Sequence, residues 1–483
     1  MFREKSVAQD VAAALSEQLE RNKVNMPISL YVFDIIFFVL FTLAVVFFLY
    51  TRKKGLQRQG WIYLYRTQIG IKFIDWTSKR FPKTPKKLQY LIIICGYLLM
   101  AAMIYLLIKV SWSYLSSPAL VRALKVPIIA PLVPYLPELF HLDFLPPFYF
   151  TYWIIIIAII AVPHEFAHGI FARLNKIKIH STGFGFLGPF LAAFVEQDDK
   201  QMNKASKFSQ LSVLAAGTFA NVLMTLLFGI IMALFFLAAF SPSGVIFNTY
   251  AIKLVNVSDV SYNNLSLNSS LIPIQVQNQT YYTSSATLEE TITNNLTTLP
   301  VYENSPAFNA KLEGVISYIN GIKITSLSSL TNELAKHSPG DKIIVTTLDS
   351  NGTSKDYQIT LAEKGGKAYL GIGFIPQQGS GLFSRIYSLI GKIKDPTVYY
   401  TSSLGEFGTF IYNLLWWIIL VSLSVALVNM LPLGMFDGGR FFYLTIWSLT
   451  GKEKIGKWAY KISTYLILVI VVALMLQWVF AFF

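Results

Sequence analysis

Cysteine is almost missing from this chain. Cys95 stands alone among 483 residues, so no internal disulfide can form and every metal site built on paired thiolates is excluded. Histidine is scarce too, with five residues, and any metal must therefore be held by a few imidazoles and carboxylates. Charge is thin: Asp, Glu, Lys and Arg together make up 14% of the chain while apolar residues reach 54%. Ordinary soluble domains carry about 25% charged residues, so a simple soluble protein is excluded and much of the chain belongs in a bilayer.

A helix needs about 20 apolar residues to cross the hydrocarbon layer. Runs of that length extend over Ile28–Tyr50, Leu88–Trp112, Phe148–Phe171, Phe208–Phe240, Phe407–Met430 and Tyr460–Phe483. The first is too long and too late for a cleaved signal peptide and is expected to stay in the mature protein. Residues 1–27 form an N-terminal extramembrane segment. Asp34, near the outer end of the first run, is expected to snorkel to the interface.

The formal net charge of +14 is not a nucleic-acid signature, because the basic residues gather beside the apolar runs. Between Thr51 and Lys87 eleven Lys and Arg residues face Asp75 alone, which the positive-inside rule assigns to the cytoplasm. Six alternating spans put the basic segments Arg173–Lys207 and Arg440–Lys461 on the same side. The sequons at Asn256, Asn264, Asn268, Asn278, Asn295 and Asn351 all fall between the fourth and fifth runs, where glycosylation would require the outer or lumenal face.

Composition divides the chain into two accessory spans with their basic loop (28–112), two core spans (148–240), a polar outer region (241–394) and the last two spans (407–483). Within the outer region Ser258–Thr298 is rich in Asn, Ser and Thr and reads as a glycosylated or partly irregular insertion. Lys342–Leu348 and Asp356–Leu361 alternate like strands. Residues 304–362, with Ser305-Pro306-Ala307, Ile319-Asn320-Gly321 and a turn at Pro339-Gly340-Asp341, resemble a PDZ domain. That resemblance implies a peptide ligand added at a sheet edge, but the usual Gly-Asp pair before the Ile-Asn-Gly strand and a Gly-rich carboxylate loop are lacking.

The chemistry sits near the inner end of the third run, in AVPHEFAHGIF. His164 and His168 are four apart and share a helix face, so both imidazoles can reach one metal, while Glu165 lies beside them as a general base. Arg173, nine residues on, is the first headgroup-level charge, which sets the motif ~13 Å deep at ~1.5 Å per residue. A catalytic zinc usually takes three protein ligands. Asp437, after a break at Pro432 and Gly434 in NMLPLGMFDGGR, is the strongest third candidate. Glu196, Asp198, Asp199, His141 and His180 are the alternatives.

HExxH followed downstream by Asn429, Pro432, Asp437 and Gly438, with Gly217 and Asn221 on the span between, resembles the site-2 protease family of intramembrane metalloproteases. The resemblance covers the third to fifth spans. It implies one zinc held by His164, His168 and Asp437, with Glu165 as base and Asn221 and Asn429 holding the substrate backbone or oxyanion. For these asparagines interhelical hydrogen bonding is the alternative. Ser181–Asp199 looks like the family's re-entrant β-hairpin, with an ordinary inner loop as the other reading. The expected protein is a polytopic α-helical membrane protein of about six spans, with a cytoplasmic-side re-entrant β-hairpin and a small α+β PDZ-like extramembrane domain. Its expected partners are single-span membrane protein substrates and the lipid bilayer, its expected location the cell membrane. A zinc protease of the prenyl-protein-processing type and a non-enzymatic PDZ membrane adaptor are the competing readings.

Overall fold

A computed structural model describes residues 28–60, 62–80, 85–116, 132–140, 142, 145–188, 190–261, 271–293, 295–349, 352–374, 388, 391 and 393–480. Two compact units emerge, one from Phe235–Thr409 and one from Pro27–Leu234 with Phe410–Phe483. Among the described residues six helices are long and apolar enough to span a membrane: α1 (Ile28–Thr51), α3 (Pro85–Ser116), α4 (Phe150–Leu174), α5 (Lys207–Ala239), α6 (Gly405–Asn429) and α8 (Glu453–Phe480). Two shorter helices, α2 (Ile69–Arg80) and α7 (Asp437–Thr450), join them. The last spanning helix begins seven residues before the apolar run that announced it at Tyr460.

Within the membrane unit, residues of α3, α4, α5, α6–α7 form one core around Ile92, Phe171, Ala215, Met430 and Phe441. Small residues allow this packing: a β-carbon on Gly96 would stand 3.0 Å from that of Ala215, and close approach of this kind is how helices associate where no hydrophobic force separates them from lipid.

The first span does more than anchor. Asp34 is only 6% exposed and does not snorkel. The residue before α4, Tyr149, offers no side-chain cap, and Asp34 supplies one from α1: it accepts from the Phe150 amide at 2.7 Å and from the Thr151 amide at 2.9 Å, with the Tyr135 hydroxyl donating at 2.6 Å. An anion there satisfies orphan amides and favours the positive end of the helix dipole.

The segment after α1 is also structured. Strands β1 (Leu56–Gln59) and β2 (Ile62–Thr67) join the expected hairpin, β3 (Ile179–Leu187) and β4 (Phe190–Gln197), in an antiparallel sheet of order β1-β2-β3-β4. Gly183 is needed in β3 because a β-carbon there would collide with the Tyr65 carbonyl of β2. Helix α2 then lies on α4, with the Arg173 guanidinium 2.8 Å from Asp75 and Gly169 making room for Ile74.

The polar unit holds two principal sheets. Strands 354–360, 342–348, 315–319, 240–245 and 398–402 follow one another in the larger, so the strands next to α5 and α6 pair directly. Helix Leu327–Leu334 opens with a capping box between Ser326 and Ser329, and residues 304–362 form a small α+β arrangement. The second sheet runs through most of the segment Ser258–Thr298 that reads as a glycosylated or partly irregular insertion, of which residues 262–270 lie outside the described residues. Strands 252–256, 298–303, 279–284, 271–276 and 260–261 pair in that order around a core of Val255, Ile272, Ile274, Leu288, Leu299 and Val301. Polar composition concealed it because strands 271–276, 279–284 and 298–303 bury only alternate residues. Gln277 and Asn278, with φ of 48° and 67°, make the two-residue turn favoured between twisted strands. Asn256, Asn278 and Asn295 are exposed; Asn264, Asn268 and Asn351 lie outside the described residues.

Candidate active site

Helix α4 carries the motif one residue after Pro163, whose missing N–H leaves the Ile159 carbonyl without its helical donor. Beyond it His164 and His168, both buried, lie one turn apart with their rings edge to face and their Nε2 atoms 3.1 Å from each other. Asp437, the first residue of α7, brings Oδ2 to 3.2 Å from His168 Nε2 and 3.6 Å from His164 Nε2. Zinc bonds of ~2.0–2.1 Å in a tetrahedron separate ligand atoms by ~3.3 Å, so the three donor atoms already stand at the edges such an ion requires. Among the described residues this is the group of His, Cys, Asp or Glu that fits a metal.

The chain break that delivers Asp437 is tightly built. A β-carbon on Gly438 would strike the Met430 carbonyl, and one on Gly439 the Leu433 carbonyl, so the turn through Pro432 can close only on glycines. Gly217, on α5, serves the site itself: its β-carbon would lie 2.6 Å from His164 Nε2 and closer still to His168 Nε2.

The two asparagines part company. Asn429 lines a cavity of about 420 Å³ together with His164, Glu165, His168, Val195 and Asp437, its Nδ2 lying 3.4 Å from His164 Nε2. Asn221 is fully buried behind the imidazole, with Nδ2 3.0 Å from His164 Nδ1. Glu165 also lines the cavity, and its Oε2 accepts from the Val195 amide of β4 at 3.1 Å.

The alternative ligands are occupied elsewhere. Glu196 pairs with Arg66 at 2.9 Å and accepts from Ser181. Asp198 caps the helix Asp199–Lys204 and meets His180 at 3.3 Å. Asp199 borders the cavity without joining the trio, and His141 lies outside the described residues. Sequence reasoning missed two backbone partners, the Val195 amide and the Val213 carbonyl, which lies 2.7 Å from His168 Nδ1. Main-chain groups carry no residue signature, so no pattern could have revealed them.

A family model described as peptidase family M50 matches residues 152–474. The zinc metalloprotease RasP of Shouchella clausii (strain KSM-K16) is 25% identical over 180 residues, covering 31% of this chain and 42% of that protein. The chain thus matches less than half the length of that relative. The family match runs from the first turn of α4 through Asp437 into α8 and takes in well over half of the chain, which therefore belongs to peptidase family M50, the site-2 protease family.

Proposed function

We propose that this chain is an intramembrane zinc metalloprotease that hydrolyses peptide bonds within the transmembrane segments of single-span membrane proteins. The observation that carries the proposal is the convergence of His164, His168 and Asp437 at zinc-ligand spacing beside Glu165. These three residues would hold one zinc per chain, which would supply Lewis acidity toward a carbonyl and lower the pKa of a bound water. Glu165 takes the proton from the attacking water and hands it to the leaving amine. Asn429, with its amide in the cavity, donates to the developing oxyanion.

The substrate reaches this site unwound. β3 is paired on both sides, by β2 and β4, whereas among the described residues β4 has β3 alone as a partner strand and turns the Val195 amide toward Glu165. An extended substrate segment adds to that edge by strand pairing, and unpaired backbone in an apolar setting supplies the drive.

The protein is a multi-pass protein of the cell membrane, its active site toward the cytoplasm and residues 241–394 outside. The PDZ-like segment limits access by excluding substrates with large outer parts and takes a peptide ligand at a sheet edge; the exposed sequons are glycosylation acceptors. Expressed with a single-span substrate, wild-type protein should cleave it, whereas Glu165→Gln should keep its zinc and leave the substrate intact. Undiminished cleavage by Glu165→Gln would remove Glu165 as the base.

A further inference from the structure

An imidazole that binds a metal through Nε2 must keep its proton on Nδ1. For His168 a backbone group enforces this. The Val213 carbonyl beside Nδ1 can only accept, so Nδ1 keeps its proton and in the neutral ring Nε2 is the bare nitrogen. His164 has an amide at the corresponding place, that of Asn221, and an amide has a donor end and an acceptor end. With NH2 toward the ring, Nδ1 must accept, the ring proton moves to Nε2, and that atom can no longer bind a metal. The amide oxygen is then left buried with no hydrogen-bond partner. With Oδ1 toward the ring, the oxygen receives Nδ1–H and Nε2 is free to face Asp437 and His168.

We infer that Asn221 is a positioning residue that selects the metal-binding tautomer of His164, its Oδ1 accepting the Nδ1 proton. Asn221 is 0% exposed, so bulk water has no route to replace it. Its own carbonyl accepts from Ser422 Oγ of α6 at 2.9 Å, which fixes this turn of α5. One turn earlier Gly217 lets α5 approach the two imidazoles closely enough for the amide to reach. Asn221 is not part of the cavity wall, and it addresses the ring from the side opposite the ligand atoms. Contact with substrate and oxyanion therefore falls to Asn429, and the two asparagines of the motif have different tasks.

This inference rests on the zinc site proposed above, and its test separates the two. Zinc affinity is measured by competition with a chromophoric chelator on full-length protein in detergent, without any proteolysis assay. Asn221→Leu, of similar size but with no acceptor, should weaken zinc binding about 10- to 100-fold, the usual consequence of losing a partner behind a metal-bound histidine. Asn221→Asp, which keeps an oxygen acceptor, should bind zinc at least as well as wild type, and His168→Ala should lose binding. Wild-type affinity in folded Asn221→Leu, with binding lost in His168→Ala, overturns the tautomer role alone. Wild-type affinity in His168→Ala overturns the zinc site itself. Should Asn221→Leu fail to fold, Asn221→Asp decides, because affinity as poor as that of His168→Ala would overturn the role of the oxygen.

Discussion

Asp34 closes the N-terminus of the helix that bears the HExxH motif by accepting the amide proton of Phe150 at 2.7 Å. The carboxylate belongs to the first span and the amide to the third, so an accessory helix completes the catalytic one. Asp34→Ala should lower thermal stability in detergent, by about 1–2 kcal/mol for the lost cap, and Asp34→Asn should recover part of it by keeping one acceptor. Melting curves that overlay for wild type and Asp34→Ala would show that the cap contributes nothing.

Gly217 is where a single methyl group is expected to empty the metal site. Gly217→Ala would put a carbon 2.6 Å from His164 Nε2 and should abolish zinc binding in a protein that still folds. Gly229 on the same helix has open space around its added carbon, and Gly229→Ala should bind zinc normally and gain up to ~1 kcal/mol from helix propensity. Metal analysis of the two purified variants separates a local clash from a general intolerance of α5.

Removing the carboxylate should leave two imidazoles too few to retain zinc. Asp437→Ala is expected to lower zinc content and eliminate cleavage, while the helices keep their far-ultraviolet circular dichroism. Full activity in this variant would take Asp437 out of the ligand set.

Topology can be read with an impermeant thiol reagent on intact cells, after Cys95→Ser removes the native thiol. Ser258→Cys should label and Gly55→Cys should not. Both positions are exposed on the protein, so the opposite pattern would invert the orientation inferred from charge.

In the polar unit Glu303 accepts from Lys364 at 2.8 Å through each carboxylate oxygen and from the Tyr369 hydroxyl at 3.0 Å. Burial pushes the carboxyl up, but Lys364 and Tyr369 more than offset it and hold it below the usual carboxylate range. A group depressed in the folded state contributes stability above its unfolded value, ~4.3 for Glu, and loses it as pH falls through the folded value. Wild type should therefore exceed Glu303→Gln in melting temperature near neutrality, with the difference shrinking below about pH 4. A difference that grows on acidification would contradict this.

The sequence by itself determined the number and approximate reach of the spans, because length and apolarity are local properties that a bilayer reads directly. It also determined the His164, Glu165 and His168 cluster, since residues four apart on a helix share a face whatever the rest of the chain does. Asp437 was legible as the best candidate to join the two histidines because a carboxylate after a helix break in an apolar setting demands a partner. Only the tertiary structure decided what lies behind the two imidazoles. Asn221 and Asn429 look alike in sequence, yet one faces the back of an imidazole and the other the cavity. The cap from Asp34, the pairing of β2 with β3 and the Val213 carbonyl at His168 all join segments far apart in the chain. Periodicity and composition describe a residue's own neighbourhood, and such contacts come into being only when separate helices and strands pack together.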